Sequence, residues 1–182
     1  MIRTIGLIEL NSIVKGIEAA DAMIKAAEVD LILANSICPG KYIVLISGDV
    51  GAVKAALEAG KDVGKQYIVD DLILPSIHAQ IINAINGSTQ VGEVNAIGAM
   101  EFFSIATCIV AADAAAKAAA INLIEIRLGF AIGGKSFVTF SGDVSEVTEA
   151  VEAGSIIGKK NGMLLTKVVI PSPRKELFEK LL

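Results

Sequence analysis

The 182-residue chain carries a formal net charge of −4, with 53% hydrophobic residues, 4% aromatics and no tryptophan. No basic block is present, which argues against a surface built to follow nucleic-acid phosphates. No apolar run reaches the roughly 20 residues that cross a membrane; the longest candidate, around 111–126, is broken by Asp113, Lys117, Asn122 and Glu125.

The length fits one ordinary domain or two small ones. Mean hydropathy is nonetheless positive, so surplus apolar surface is expected at subunit interfaces. Met1 to Gly6 lead straight into a strand pattern without the charged segment and cleavage site of a signal peptide. Two cysteines at unlike positions fit a reducing cytoplasm better than a disulfide.

In chain order, an apolar strand is expected over residues 4–10. Ser12 then caps a helix whose Ile13, Ile17, Ala20, Ile24 and Ala27 recur at helical spacing. Two strands follow, at 29–37 and 42–47, joined by Ser36-Ile37-Cys38-Pro39-Gly40-Lys41. Pro39 fixes φ and Gly40 permits a left-handed residue, so this is a tight exposed bend with a cysteine at its tip, an unusual place for that residue. A second helix starts at Gly48-Asp49, uses Val50, Val53 and Leu57 as its apolar positions, and closes near 60–64. A strand over 67–74 and a short helix over 76–85 complete a β-α-β-β-α-β unit plus a helix, a ferredoxin-like α+β pattern with strands two and three antiparallel.

The chain then repeats itself. Residues 5–32 align without gaps on 97–124, and about half of the paired positions are identical, among them Ser12/Ser104, Asp21/Asp113 and Lys25/Lys117. After a two-residue length difference, Gly40-Lys41 meets Gly134-Lys135, Ser47-Gly48-Asp49-Val50 meets Ser141-Gly142-Asp143-Val144, and Glu58-Ala59-Gly60 meets Glu152-Ala153-Gly154. A further insertion brings Pro75-Ser76 onto Pro171-Ser172. Two like domains, 1–88 and 94–182, are expected, joined by a short polar linker over 86–95.

Several signals point elsewhere and are weak. Residues 129–136 satisfy the phosphate-loop pattern GxxxxGK[ST], but such a loop must open a helix, and Phe137-Val138-Thr139-Phe140 reads as a strand. The glycines are better suited to letting this loop crowd close to a pore axis. Cys108 occupies the site of Gly16 on a helix and is expected to be a small buried hydrophobe. His78, the single histidine, has no matched nucleophile and acid. Glu9 and Glu101 recur on the first strands and suit structural ion pairs better than acid–base work.

The pattern Ile5-Gly6-Leu7-Ile8-Glu9, then residues 19–25, then Gly48-Asp49-Val50, resembles the shell-protein domain of bacterial microcompartments (BMC). Two domains in one chain resemble the tandem, trimer-forming members. Ile37-Cys38-Pro39-Gly40-Lys41 and Phe130-Ala131-Ile132-Gly133-Gly134-Lys135 are similar to the paired loops of the propanediol-utilisation type. The resemblance implies a non-enzymatic tile, a pseudohexameric homotrimer in the compartment shell within the cytoplasm, working with other shell proteins. Ile37, Pro39, Gly40, Phe130, Ala131, Ile132, Gly133 and Gly134 would line a central pore. Cys38 of three subunits would hold one [4Fe–4S] cluster per trimer, passing electrons across the shell, with enclosed redox enzymes as candidate partners. Lys25 and Lys117 would lie at tile edges. The edge arginine usual after the last strand's proline is replaced here by Ser76 and Ser172, with Arg174 two positions on.

The chemistry of the residues agrees with this expectation. A cubane usually takes four thiolates, so three copies of Cys38 would leave one iron for another ligand. Pro39 would stiffen the turn, and backbone N–H groups around Gly40 are expected to face the cluster sulfurs. The alternatives are a metal-free tile whose pore passes a small metabolite, and a duplicated ferredoxin-like ligand-sensing module.

Overall fold

In the computed structural model, which describes residues 4–89 and 95–177, the chain forms β1 (Thr4–Leu10), α1 (Ile13–Ala26), β2 (Asp30–Ile37), β3 (Lys41–Gly48), α2 (Val50–Gly64), β4 (Ile68–Leu74) and α3 (Gln80–Ile85). The second half repeats the series as β5 (Ala96–Phe102), α4 (Ile105–Ala118), β6 (Asn122–Leu128), β7 (Ser136–Gly142), α5 (Val144–Lys160) and β8 (Leu164–Pro171). The middle of the expected 86–95 linker, and the domain limits at residues 1, 94 and 182, lie outside the described residues.

Each half builds a four-stranded sheet, ordered β2-β3-β1-β4 and β6-β7-β5-β8, with every neighbouring pair antiparallel. This is the order a split β-α-β pattern gives when each crossover helix leaves room for one inserted strand. The duplication reaches the irregularities. Register shifts fall between Glu9 and Leu10 and between Glu101 and Phe102, and again between Leu31 and Leu33 and between Leu123 and Glu125.

Local chemistry sets the boundaries. The Ser12 hydroxyl accepts from the Lys15 amide at 3.3 Å, and Ser104 accepts from Thr107 at 3.1 Å, so both first helices start on a serine cap. α5 opens with a capping box between Asp143 and Glu146. β1 is buried along its whole length, which explains its unbroken apolar sequence. On its helix-facing side Ile8 and Leu10 join Val44, Ile46, Ala19, Met23, Val53, Ala56 and Leu57 in one core. Lys61 on α2 bonds Asp71 on β4 at 2.6 Å, and this carboxylate holds the lysine above its ordinary pKa. In the second half the polarity of the same tie is reversed. Glu152 on α5 pairs with Lys167 on β8, which holds the carboxyl below its usual range.

One element departs from its expected boundaries. The helix expected over 76–85 forms only over Gln80–Ile85, because Ser76 takes a left-handed conformation (φ 55°) and the chain turns before entering it. The chain divides into two compact units. One gathers the chain up to Ile77 together with Phe130–Gly134; the other gathers His78–Gly129 and the chain from Lys135 onward.

Candidate functional site

The site is built in the first unit from the β2–β3 turn and the Phe130–Gly134 segment that belongs to the same unit. Ile37 and Lys41 face each other at the end of the ladder, and the Gly40 amide donates to the Ile37 carbonyl at 3.0 Å, closing the turn. The Cys38–Pro39 peptide is cis, and Gly40 has φ +84°, the left-handed residue expected from the sequence. Ile37 is buried, Cys38 is half-buried, and Pro39 and Gly40 are exposed. The Gly40 amide is taken by Ile37, so it is committed to the turn itself.

The second loop leaves β6 through Gly129, whose amide donates to the Lys135 carbonyl at 2.9 Å. Ala131, Gly133 and Gly134 all have positive φ, at 59°, 66° and 79°. Gly134 lies directly behind the cysteine turn: a Cβ there would stand 2.7 Å from the Cys38 carbonyl oxygen and 3.3 Å from Pro39 Cδ. Only glycine allows this approach in this conformation. Ile132 is half-buried, and Phe130 is 66% exposed. The nine pore-loop and thiol residues named from the sequence thus come together in one unit.

Behind each loop stands the same ion pair. Lys41 reaches Glu9 at 2.7 Å, and Lys135 reaches Glu101 at 2.5 Å, which gives the recurring glutamates the structural role expected of them. Lys135 and Ser136 lead into β7 rather than a helix, so residues 129–136 lack the helix N-terminus a phosphate loop needs.

Cys108 takes no part in this site. It is fully buried on α4, where burial pushes its thiol up to about 12 against the pull of a Ser136 side-chain hydrogen bond. In the native, cluster-free protein at pH 8, iodoacetamide is therefore expected to modify Cys38 and leave Cys108 unmodified until the chain unfolds, as read by peptide mass spectrometry. The sign of the linkage is fixed by the same burial. The neutral thiol favours the fold fully below its ordinary value of 9.0, and that contribution is lost as pH rises from there toward about 12.

Among the described residues no group of three or more His, Cys, Asp or Glu side chains is placed to hold a metal ion. The donor set a single chain offers to an iron–sulfur cluster is one half-buried thiol at a turn tip. That suits a shared ligand and nothing larger, since a cubane usually needs four.

The two lysines expected at tile edges sit in the last turns of α1 and α4 and differ in setting. Lys25 is 72% exposed and pairs with exposed Asp21 at 2.6 Å. Lys117 pairs at 2.5 Å with Asp113, which is buried and also accepts the His78 amide at 2.7 Å. The His78 ring accepts from the Gln80 amide at 3.5 Å, a local turn contact.

Two features escaped the sequence reading. Gln80 donates from Nε2 to the Ile121 carbonyl at 3.0 Å and accepts the Leu123 amide at 2.7 Å, standing in for a strand along β6. Gly16 leaves room for the Tyr42 ring, whereas the aligned pair is Cys108 with Ser136. The second was visible in the alignment as a matched exchange of a large and a small residue.

Residues 4–77 and 96–173 each match the BMC domain family. The chain is 42% identical over its whole length to the bacterial microcompartment shell protein PduT of Citrobacter freundii, covering 98% of that protein. It is 31% identical over 97% of its length to the carboxysome assembly protein CcmO of Synechococcus elongatus, of which it covers 68%. A microcompartment protein of Desulfitobacterium hafniense has a crystal structure that superposes with a TM-score of 0.95 at 53% identity, over 98% of this chain and 99% of that one. A fused permuted hexameric shell protein (TM-score 0.63, 22% identity, 85% and 83% coverage) shares the fold alone.

Proposed function

We infer the function from one premise: the chain belongs to the BMC-domain family of bacterial microcompartment shell proteins and carries that domain twice. It is a structural protein of the compartment shell. Within that role we assign it to a homotrimeric, pseudohexameric tile, assembled beside other shell proteins, with Cys38 of each subunit turned toward a shared [4Fe–4S] cluster. When bound, the cluster supplies a one-electron centre in a wall that otherwise separates two solutions.

The observation that carries this reading is the setting of Cys38. A cysteine is usually buried, as Cys108 is; this one is held at the tip of an exposed turn and backed by a glycine loop from the second repeat. The chain's own contribution is to fix the backbone around that thiol. Gly40 closes the turn, Gly134 abuts the Cys38 carbonyl, and the Lys41–Glu9 and Lys135–Glu101 pairs hold the strand ends behind both loops. Electron exchange with enclosed redox enzymes is the partner chemistry this implies.

The test is purification without oxygen, followed by iron, acid-labile sulfide and mass determination. The expected result is a brown protein with about four iron atoms per three chains. A colourless trimer prepared the same way overturns the cluster and leaves a metal-free tile. A protein that binds a metabolite and forms neither trimers nor sheets overturns the tile as well.

A further inference from the structure

An asparagine followed by glycine is prone to lose its side-chain amide, because glycine has no Cβ to keep its backbone nitrogen away from the asparagine carboxamide carbon. The chain has this pair twice, as Asn86-Gly87 and Asn161-Gly162. The two stand in the same local setting. Each asparagine follows a helix, α3 or α5, with ψ of 0° and 6°. Each glycine is left-handed, at φ 64° and 71°, and all four residues are exposed. Sequence and exposure therefore do not tell the pairs apart.

Hydrogen bonding does. Asn161 donates from Nδ2 to the Thr107 hydroxyl at 2.9 Å, and its Oδ1 accepts the Met163 amide at 3.3 Å. The Gly162 amide donates to the Lys159 carbonyl at 3.2 Å. Among the described residues the Asn86 carboxamide and the Gly87 amide make no such bond. The chain on either side of them is fastened. Residues 78–89 lie over α4 and β6, with Ile81 and Ala84 fully buried. The Ser88 amide donates to the Asn83 carbonyl at 2.9 Å, and the Thr89 hydroxyl donates to the Ile124 carbonyl at 2.7 Å. The groups left to water are the ones the reaction uses.

We propose that Asn86 is a self-modification site, converted in the folded protein to aspartate and isoaspartate, and that the bonds around Asn161 withhold the same reaction there. The Gly87 nitrogen gives up its proton and bonds to the Asn86 side-chain carbonyl carbon. The bond from that carbon to Nδ2 breaks, and ammonia leaves with the proton. Water then opens the cyclic imide at either carbonyl, so the net exchange is water for ammonia with no change in oxidation state. The product carries a new carboxylate beside the last carbonyls of α3, the helix end where a negative charge is unfavourable. The isoaspartyl form also adds a methylene to the backbone at the start of the linker between the repeats. At Asn161 the nucleophile, the leaving group and the carbonyl oxygen must each be released before the chain can turn into position.

The full chain is held in mildly alkaline buffer in its native state and, in parallel, in concentrated urea. Both sites are followed over days by peptide mass spectrometry that resolves asparagine from its two products. The native rate at Asn86 is expected to exceed that at Asn161 by on the order of tenfold or more, since hydrogen bonds must break at the second site and not at the first. In urea the two rates should converge. Thr107→Val, which removes the hydroxyl that Nδ2 reaches, should raise the native rate at Asn161 severalfold and leave Asn86 unchanged. Asn86→Gln should remove the acidic species that ion exchange separates from the aged native protein. Equal native rates, an Asn86 that keeps its amide in the fold while losing it in urea, or a Thr107→Val protein whose Asn161 stays as slow as before overturns the proposal.

Discussion

Tyr42→Ser is expected to cost the first unit about 3–5 kcal/mol, and Gly16→Cys placed in the same chain is expected to return a large part of it. The Tyr42 ring lies against α1 so closely that a Cβ on Gly16 would sit 2.4 Å from Cδ1 and 2.5 Å from Cβ and Cγ. Its hydroxyl is used as well, donating to the Ala34 carbonyl at 2.9 Å. Removing the ring leaves a cavity and takes the tyrosine hydroxyl from the Ala34 carbonyl. Gly16→Cys alone overpacks the same space and should cost about 1–3 kcal/mol, offset in part by up to about 1 kcal/mol for replacing a helical glycine. Together the two substitutions reproduce what the second unit already has: Cys108 buried at the Gly16 position and Ser136 at the Tyr42 position, its hydroxyl donating to the Ser104 carbonyl at 2.9 Å. The coupling should therefore be favourable by about 2–3 kcal/mol, read from urea midpoints at constant slope. Costs that simply add would show that the two repeats fill this space by unrelated means.

Cys38→Ser is expected to remove all cluster iron and acid-labile sulfide while trimer mass and thermal midpoint stay close to those of the cluster-free parent protein. Cys38 is half-buried at a turn tip, and the turn is closed by the Gly40–Ile37 backbone bond and backed by Gly134, neither of which involves the sulfur. Serine differs by one atom and fits the same space, so surface-type effects within about 0.5 kcal/mol are expected. Cys108→Ser should behave in the opposite way, keeping the iron but lowering stability, since it places a hydroxyl in a fully buried site on α4. If instead Cys108→Ser strips the metal and Cys38→Ser dissolves the trimer, the assignment of the ligand is wrong.

The repeated pattern made the architecture readable. Alternation in β3, the serine caps before α1 and α4, and the Gly-Asp starts of α2 and α5 are local signals, and their recurrence at aligned positions doubled the information. The antiparallel pairing of β2 with β3 followed from the short turn between them. The Cys38 turn and the Gly133-Gly134 loop were recognisable because proline and glycine write backbone conformation directly into sequence. What could not be read was set by tertiary contacts. Nothing local to Gln80 says that its amide will clip the β6 backbone. The length of α3 escaped for a similar reason, since the left-handed turn at Ser76 uses a residue with no strong preference for it. Nor does periodicity distinguish α1 from α4: both carry aligned apolar positions, yet Ile17 is exposed and Ile109 is not.

The unit that holds Cys38 draws on two distant stretches of the polypeptide, because Phe130–Gly134 belongs to it. Gene fission at the boundary between the repeats would therefore not yield two autonomous modules. The amino-terminal fragment would lack the backing that Gly134 gives its thiol-bearing bend, and the carboxy-terminal fragment would lose part of the 78–89 covering of α4. Duplication followed by fusion has made the halves mutually dependent, while freeing their loops to diverge so that one half alone bears a cysteine at its β-turn.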